Sequence, residues 1–144
     1  MKKKRVIFFL PNFSNGGAGE SVFKLAKYLI EKKFSILLVS VGNNFYKKEL
    51  LKLGCSVIEL KKKRVLFSIL EIRKIMFKES KKNYSKIFFV SNFHYANIIS
   101  VIASLGIKIK IILTERSSVY ELINSSLNKK FFKDRLLYFF VKIF

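Results

Sequence analysis

The segment that sets the topology of this chain is Arg5-Val-Ile-Phe-Phe-Leu-Pro-Asn-Phe-Ser-Asn-Gly-Gly-Ala-Gly-Glu-Ser-Val-Phe-Lys-Leu-Ala-Lys-Tyr-Leu29. Its apolar run over residues 6–10 predicts a fully buried strand, which Pro11 ends. A glycine-rich turn follows, and then apolar residues recur at helical spacing, at Val22, Leu25, Ala26, Leu29 and Ile30. One apolar stripe of this kind predicts an amphipathic helix. A strand, a tight turn and a helix in this order are typical of the first unit of a parallel α/β domain.

The turn itself suggests an anion site. Gly16, Gly17 and Gly19 allow the backbone to approach a ligand closely, and the N–H groups at a helix start point at a negative charge. A purely structural explanation has about equal weight, because the first helix of an α/β domain must lie close to its strand. The spacing leaves both interpretations open.

Two phosphate-binding classes are not expected. The glycines do not form G-x-G-x-x-G, and the second predicted strand, residues 36–41, does not end in the acidic residue that would bind a ribose. The chain also has no Gly-Lys-Ser or Gly-Lys-Thr of a P-loop. A nicotinamide enzyme or an NTPase is therefore not predicted.

Length and composition predict one cytoplasmic domain over residues 1–144. The apolar stretches are far shorter than the roughly 20 residues that span a bilayer, and the N-terminal run is too short for a signal peptide. Cys55 is the only cysteine and there is one histidine, so neither an internal disulfide nor a structural zinc site is expected. We expect Cys55 to be a small buried residue.

The net charge of +20 is large for 144 residues. It would attract polyanions such as nucleic acid, an anionic membrane surface or phosphorylated substrates. A biased, AT-rich genome explains the abundance of lysine equally well. Because the basic clusters lack helix-turn-helix, zinc or RNP-like motifs, nucleic acid is not the expected partner.

Strands alternate with helices along the chain, which predicts a parallel sheet of order 3-2-1-4-5 between two helical layers. The last two segments differ from this pattern: 117–130 is expected as a loop or short helix, and 131–144 as a helix whose apolar end has no cap. That ending suggests a cut through a larger protein. The predicted strands are 5–10, 36–41, 56–60, 86–91 and 109–114, and the predicted helices are about 18–32, 44–53, 66–79 and 95–105.

Strands 1 and 4 are expected side by side where the winding reverses, the place where such sheets bind ligands. The glycine turn and Ser91-Asn92-Phe93-His94-Tyr95 would meet at this crevice, next to Thr114-Glu115-Arg116. His94 could equally cap a helix, and Glu115 with Arg116 could be an internal ion pair. Since no carboxylate pair suits acid–base work, any chemistry here would depend on orientation and phosphate stabilisation.

These segments together resemble the N-terminal domain of family 4 glycosyltransferases. Such domains begin with a strand, a Gly-Gly-Ala-Glu or Gly-Gly-Ala-Gly turn and a helix reading roughly Asn-Leu-Ala-x-x-Leu. Residues 16–19 and 25–29 match this opening, residues 90–98 are similar to the family's segment after strand 4, and residues 111–117 to its strand 5 with a Glu-Arg ending.

The resemblance implies the N-terminal half of a GT-B fold, which would hold the acceptor, often a lipid-linked saccharide. The complete enzyme would transfer a sugar from a nucleotide sugar, with retention and without a metal ion or other cofactor. His94 would lie near the transferred sugar. Donor-phosphate or substrate contacts would come from Asn15, Gly16, Gly17, Gly19, Ser91, Asn92, Glu115 and Arg116.

Two departures from the family qualify this expectation. Gly19 stands where many members have Glu, and no donor-binding C-terminal domain with paired glutamates follows. We therefore expect a chain that is inactive alone and needs a second domain, in the same or a separate chain. A peripheral position at the inner face of the cytoplasmic membrane would fit its basic charge. The alternative is a non-catalytic, flavodoxin-like module with a basic surface for membrane or nucleic acid.

Overall fold

The computed structural model describes residues 3–115. Arg116 and the predicted segments 117–130 and 131–144 lie outside the described residues. The strands are β1 (Arg5–Leu10), β2 (Ser35–Ser40), β3 (Ser56–Glu59), β4 (Ile87–Asn92) and β5 (Lys110–Thr114). The helices are α1 (Gly17–Glu31), α2 (Lys47–Lys52), α3 (Ile69–Ser80) and α4 (His94–Ser104), with a 3₁₀ turn at Val65–Ser68 before α3.

The five strands form one parallel sheet of order β3-β2-β1-β4-β5, which confirms the predicted α/β, Rossmann-like topology. β1 is central and every one of its residues is buried, as its uninterrupted apolar run predicts. In register, Phe9 lies beside Val39 on one side and Ser91 on the other. The loops after β1 and β4 therefore leave the same edge of the sheet from neighbouring strands.

Alternate residues of strands β1 to β4 enter two separate cores. Val6, Phe8 and Leu10 pack with α1 and α2, whereas Ile7 and Phe9 pack with α3 and α4. This alternation follows from the two-residue period of a strand. The sheet is thus the middle of three layers, with two helices assigned to each face.

Most predicted boundaries are correct within one residue. One exception is α3, which begins at Ile69 rather than 66, after the 3₁₀ turn at Val65–Ser68. The other exception is α2. It begins at Lys47 rather than 44, because residues 41–46 form a loop that pairs Asn44 with Phe13. The stripe predicted on α1 is also wrong at one position. Leu25 is 43% exposed, whereas Phe23, outside the predicted stripe, packs against the core.

A buried ion pair holds the opposite, N-terminal edge of the sheet. Arg5 donates from Nε to Glu79 Oε2 at 3.1 Å and from Nη1 to Ser35 Oγ at 2.6 Å, joining β1 to α3 and β2. In the core layer that contains α1, Cys55 is buried as predicted, and burial raises the pKa of its thiol to about 11. This thiol is a packing group and is protonated at neutral pH.

Candidate functional site

The glycine bend, residues Asn15 to Gly19, presents an open helix start. Gly16 is the extended N-cap residue of α1, with φ −132° and ψ 170°, and no side chain caps the helix. The first backbone hydrogen bond of the helix runs from Glu20 N to Gly16 O at 2.9 Å. The amides of residues 17–19 therefore precede the helical ladder, and the positive end of the helix dipole lies there.

Two glycines of this bend serve different purposes. A Cβ on Gly19 would lie 2.1 Å from the carbonyl oxygen of Ser14, so any side chain there would collide with the backbone. A Cβ on Gly17 would meet nothing within 4 Å, and Gly16 and Gly17 are both exposed. Close packing thus explains Gly19, including why no Glu stands there, but packing does not require Gly17.

Asn15 fixes the bend to the loop that follows β2. Its Oδ1 accepts a hydrogen bond from the Tyr46 hydroxyl at 2.9 Å. The Tyr46 ring in turn stacks on Phe23 of α1, with ring centres 4.7 Å apart and planes 16° apart. The side chain of Asn15 therefore helps to shape the bend, while the exposed backbone of residues 16 and 17 remains open to solvent.

At the ends of β4 and β5, polar side chains hold the strands together. The Thr114 hydroxyl lies 2.9 Å from Asn92 Oδ1 and 3.0 Å from Ser91 O, and its single proton serves both acceptors. Asn92 Nδ2 reaches Phe9 O of β1 at 3.5 Å. Ser91 and Asn92 are both buried. We call this set, Phe9, Ser91, Asn92 and Thr114, the strand-end network.

Phe93 links the strand-end network to His94 in a strained conformation. Its φ of +74° and ψ of 149° are rare for a residue with a side chain and cost of order 1–3 kcal/mol. Phe93 N donates to Thr114 O at 3.1 Å, and Asn97 Nδ2 donates to the same oxygen at 3.1 Å. These bonds hold the first turn of α4, and so His94, against the end of β5.

His94 is the first residue of α4 and is half-buried. Its ring meets that of Tyr95 edge-on, with centres 6.3 Å apart. The imidazole and the glycine bend thus lie at the carboxyl edge of the sheet, after neighbouring strands. Glu115, which follows β5 directly, is exposed, and Arg116 lies outside the described residues.

A third group of polar residues lies at this edge and was not predicted from the sequence. At the end of β3, Glu59 accepts a hydrogen bond from Asn44 N at 2.9 Å and pairs with the Lys47 ammonium. The Lys47 bond, with the Asn44 amide, holds the pKa of the Glu59 carboxyl below its usual range. The sequence does show a strand that ends in Glu59 and a helix that begins with lysines. That Glu59 pairs with Lys47 could not be predicted, because the pair depends on the conformation of the loop before α2.

Within residues 3–115, no three His, Cys, Asp or Glu side chains come together in a way that could hold a metal ion. In the same part of the chain, none of the helices is both long and apolar enough to cross a bilayer.

Comparison with known proteins found a likeness in structure but none in sequence. No family model matches the chain, and no curated protein matches it in sequence. A solved glycosyltransferase from Rickettsia africae aligns with 87% of this chain at 20% identity and a TM-score of 0.47. The alignment covers 49% of that protein, so the chain spans about half the length of the structure it matches.

Proposed function

We propose that this chain is the acceptor-side domain of a retaining, family 4 glycosyltransferase with a GT-B fold. It would work with a donor-binding domain, in the same or a separate chain, to move a sugar from a nucleotide sugar to a saccharide, often a lipid-linked one. The observation that carries the proposal is the shared edge: an open helix start after β1 and an imidazole after β4.

The glycine bend supplies the electrostatic part of this function. A donor pyrophosphate at residues 16–18 would accept hydrogen bonds from amides that precede the helical ladder and would lie at the positive end of α1. Such contacts stabilise charge as it builds on the leaving phosphate, and they do so without a metal ion. No side chain of residues 16 or 17 obstructs the approach, because both are glycine.

The second part of the proposed site is His94. The strand-end network and the Phe93 N–H bond to Thr114 fix the start of α4, so the imidazole has a defined place at the same edge as the bend. In the proposed role His94 would contact the transferred sugar. The Ser91 carbonyl and the Asn92 side chain would support it indirectly, by bonding to the neighbouring strands. Positioning of this kind accelerates a reaction by fixing the approach of its partners.

Binding of nucleotide sugars tests this proposal. Saturation-transfer NMR with UDP-glucose, UDP-N-acetylglucosamine and GDP-mannose should detect a nucleotide sugar that binds the chain. Gly17→Asp should weaken that binding at least about tenfold, the equivalent of roughly 1.4 kcal/mol. Since a carboxylate at a helix start stabilises the helix by about 0.3–1 kcal/mol, lost binding with retained stability separates repulsion from unfolding.

Gly17→Asn is the matched control, because it is similar in size and carries no charge. The proposal predicts weaker binding to the Asp variant than to the Asn variant. Equal binding by wild type, Gly17→Asp and Gly17→Asn would remove the bend from the site, and the proposal would fail.

A further inference from the structure

A basic and apolar surface lies on the outer side of α3, outside the candidate site. Residues 61–82 carry nine Lys or Arg and only two Glu. One of those, Glu79, is buried and pairs with the buried Arg5 and the exposed Lys82. The other, Glu71, pairs with Lys62 at 2.8 Å. Among residues 3–115, the cations at 63, 64, 74 and 78 therefore belong to no ion pair, and they raise a strong local positive potential.

Large apolar side chains project from the same segment into solvent. Leu66, Phe67 and Leu70 are 63%, 59% and 65% exposed, and Phe77 is 52% exposed. Leu70 and Phe77 are seven residues apart, two turns along one face of α3, while Ile72 and Met76 fill the core on the other. We call the exposed residues Lys61–Arg64, Leu66, Phe67, Leu70, Lys74, Phe77, Lys78 and Lys81 the α3 face.

Leu105 extends this face at the end of α4. It is 64% exposed, and its carbonyl accepts a hydrogen bond from Arg73 of α3 at 2.7 Å. Exposed leucine and phenylalanine cost free energy in water, and a contiguous group of them marks an interaction surface. Core packing does not account for this group, since each of these side chains lies outside both cores.

We propose that the α3 face docks on an anionic lipid bilayer, with Leu66, Phe67, Leu70 and Phe77 inserted at the headgroup boundary. Apolar side chains ringed by lysines are what a peripheral membrane surface requires, because the cations attract lipid phosphates while the apolar groups leave water. A nucleic acid would match the cations and could stack bases on Phe67 and Phe77, but it would leave Leu66 and Leu70 exposed to water. A second copy of this chain would oppose like charges.

The α3 face begins at the same sheet edge as the glycine bend, since Lys62 N bonds to Val41 O just after β2. Membrane docking does not depend on the proposed transferase activity. The docking is inferred from the charge and exposure of the α3 face alone, and vesicle binding can be measured without any sugar.

The absence of tryptophan from the chain permits a site-specific test. Phe67→Trp places a single reporter on the α3 face, and Tyr28→Trp places one at a similarly exposed position, 54%, on α1 in the opposite layer. With phosphatidylglycerol–phosphatidylcholine vesicles, the indole emission of the Phe67→Trp variant should shift to the blue and be quenched by brominated lipid. The emission of the Tyr28→Trp variant should change in neither respect.

Two further variants separate attraction from insertion. Changing Lys63, Arg64, Lys74 and Lys78 to Gln should lower binding to these vesicles at least about tenfold, given the attraction of each cation near the surface. Phe67→Ser with Leu70→Ser should lower it by a similar factor in 0.5 M salt, where cations are screened. Matched controls on the other layer are Lys27, Lys32, Lys48 and Lys52 to Gln, and Tyr28→Ser with Leu51→Ser.

Several results would overturn the proposal. They are no binding to anionic vesicles, equal effects of the α3 variants and their controls, and an emission spectrum of the Phe67→Trp variant that vesicles leave unchanged. Binding to an oligonucleotide that the Gln changes abolish, with vesicle binding unaffected by the Ser changes, would instead make the face a polyanion surface. Lipid-free dimers that dissociate in the Ser variant would assign the face to a second copy.

Discussion

The two sides of the candidate site use polar groups in opposite ways. After β1, Gly16 and Gly17 of the glycine bend are exposed, and no side chain caps the helix start. After β4 and β5, the Thr114 hydroxyl and the buried Asn92 amide bond to neighbouring strands. One side is open to a ligand, and the other is a scaffold that sets where the first residue of α4 lies.

The difference shows that polar character at a strand end does not by itself identify a ligand contact. Ser91 and Asn92 have more polar side chains than the glycines of the bend, yet both are buried. The groups that remain available on the β1 side belong to the main chain, at residues with no side chain. Ligand contacts at this edge are thus predicted more directly from exposed backbone than from side-chain chemistry.

The largest effect is expected on the β1 side, where Gly19→Ala should destabilise the fold. The added Cβ would lie 2.1 Å from Ser14 O, a backbone atom that cannot move independently. Overpacking of this kind costs about 3 kcal/mol. Urea unfolding would measure it, with Gly17→Ala as the control, since its Cβ meets no atom within 4 Å. Equal stability of the two variants would contradict the different roles given to these glycines.

On the β4–β5 side, Thr114→Val should lower the free energy of unfolding by about 2 kcal/mol. The change removes the hydroxyl that Ser91 O and Asn92 Oδ1 share, and buried acceptors are costly to leave without a donor. Thr114→Ser keeps the hydroxyl and should recover most of the loss. If Val proved as stable as Thr, the network would not be holding the strand ends.

Phe93 lies between β4 and α4 and offers a test of backbone strain at this junction. Phe93→Gly and Phe93→Ala remove the same ring, so their difference reports the backbone alone. A protein with alanine is usually more stable than one with glycine at the same position. At φ +74°, however, we expect the Phe93→Gly variant to be more stable than Phe93→Ala by about 1 kcal/mol. Thermal unfolding of both variants measures this difference. A more stable Phe93→Ala variant would show that no strain is present.

The smallest effect is expected at Glu59, which ends β3, two strands away from β1 in the sheet. Because its pKa is lowered on folding, Glu59 stabilises the protein above its unfolded pKa of about 4.3, and this contribution is lost as the pH falls through the folded value. Lys47 is 45% exposed, so solvent screening limits the contribution to roughly 0.5 kcal/mol. The stability deficit of Glu59→Gln should thus be present at pH 7 and should shrink under acid conditions. Glu31→Gln is the exposed control, and the same pH dependence in both variants would contradict the assignment.

The sequence was sufficient to predict the sheet order, because uninterrupted apolar strands alternating with helices leave few topologies. It also placed the bend and His94 at one edge. It could not separate Gly17 from Gly19, since the collision with Ser14 arises only when the loop folds back. The strain at Phe93 and the role of Thr114 likewise depend on contacts between β4, β5 and α4, which no local pattern encodes.

The most direct test of the shared edge is a titration of the ¹⁵N-labelled chain with the nucleotide sugar that binds it. We predict that the amide signals of Gly16, Gly17 and Ala18 and the imidazole signal of His94 shift together along one binding curve. Shifts confined to only one of these two groups, or located at the N-terminal edge near Arg5, would contradict it.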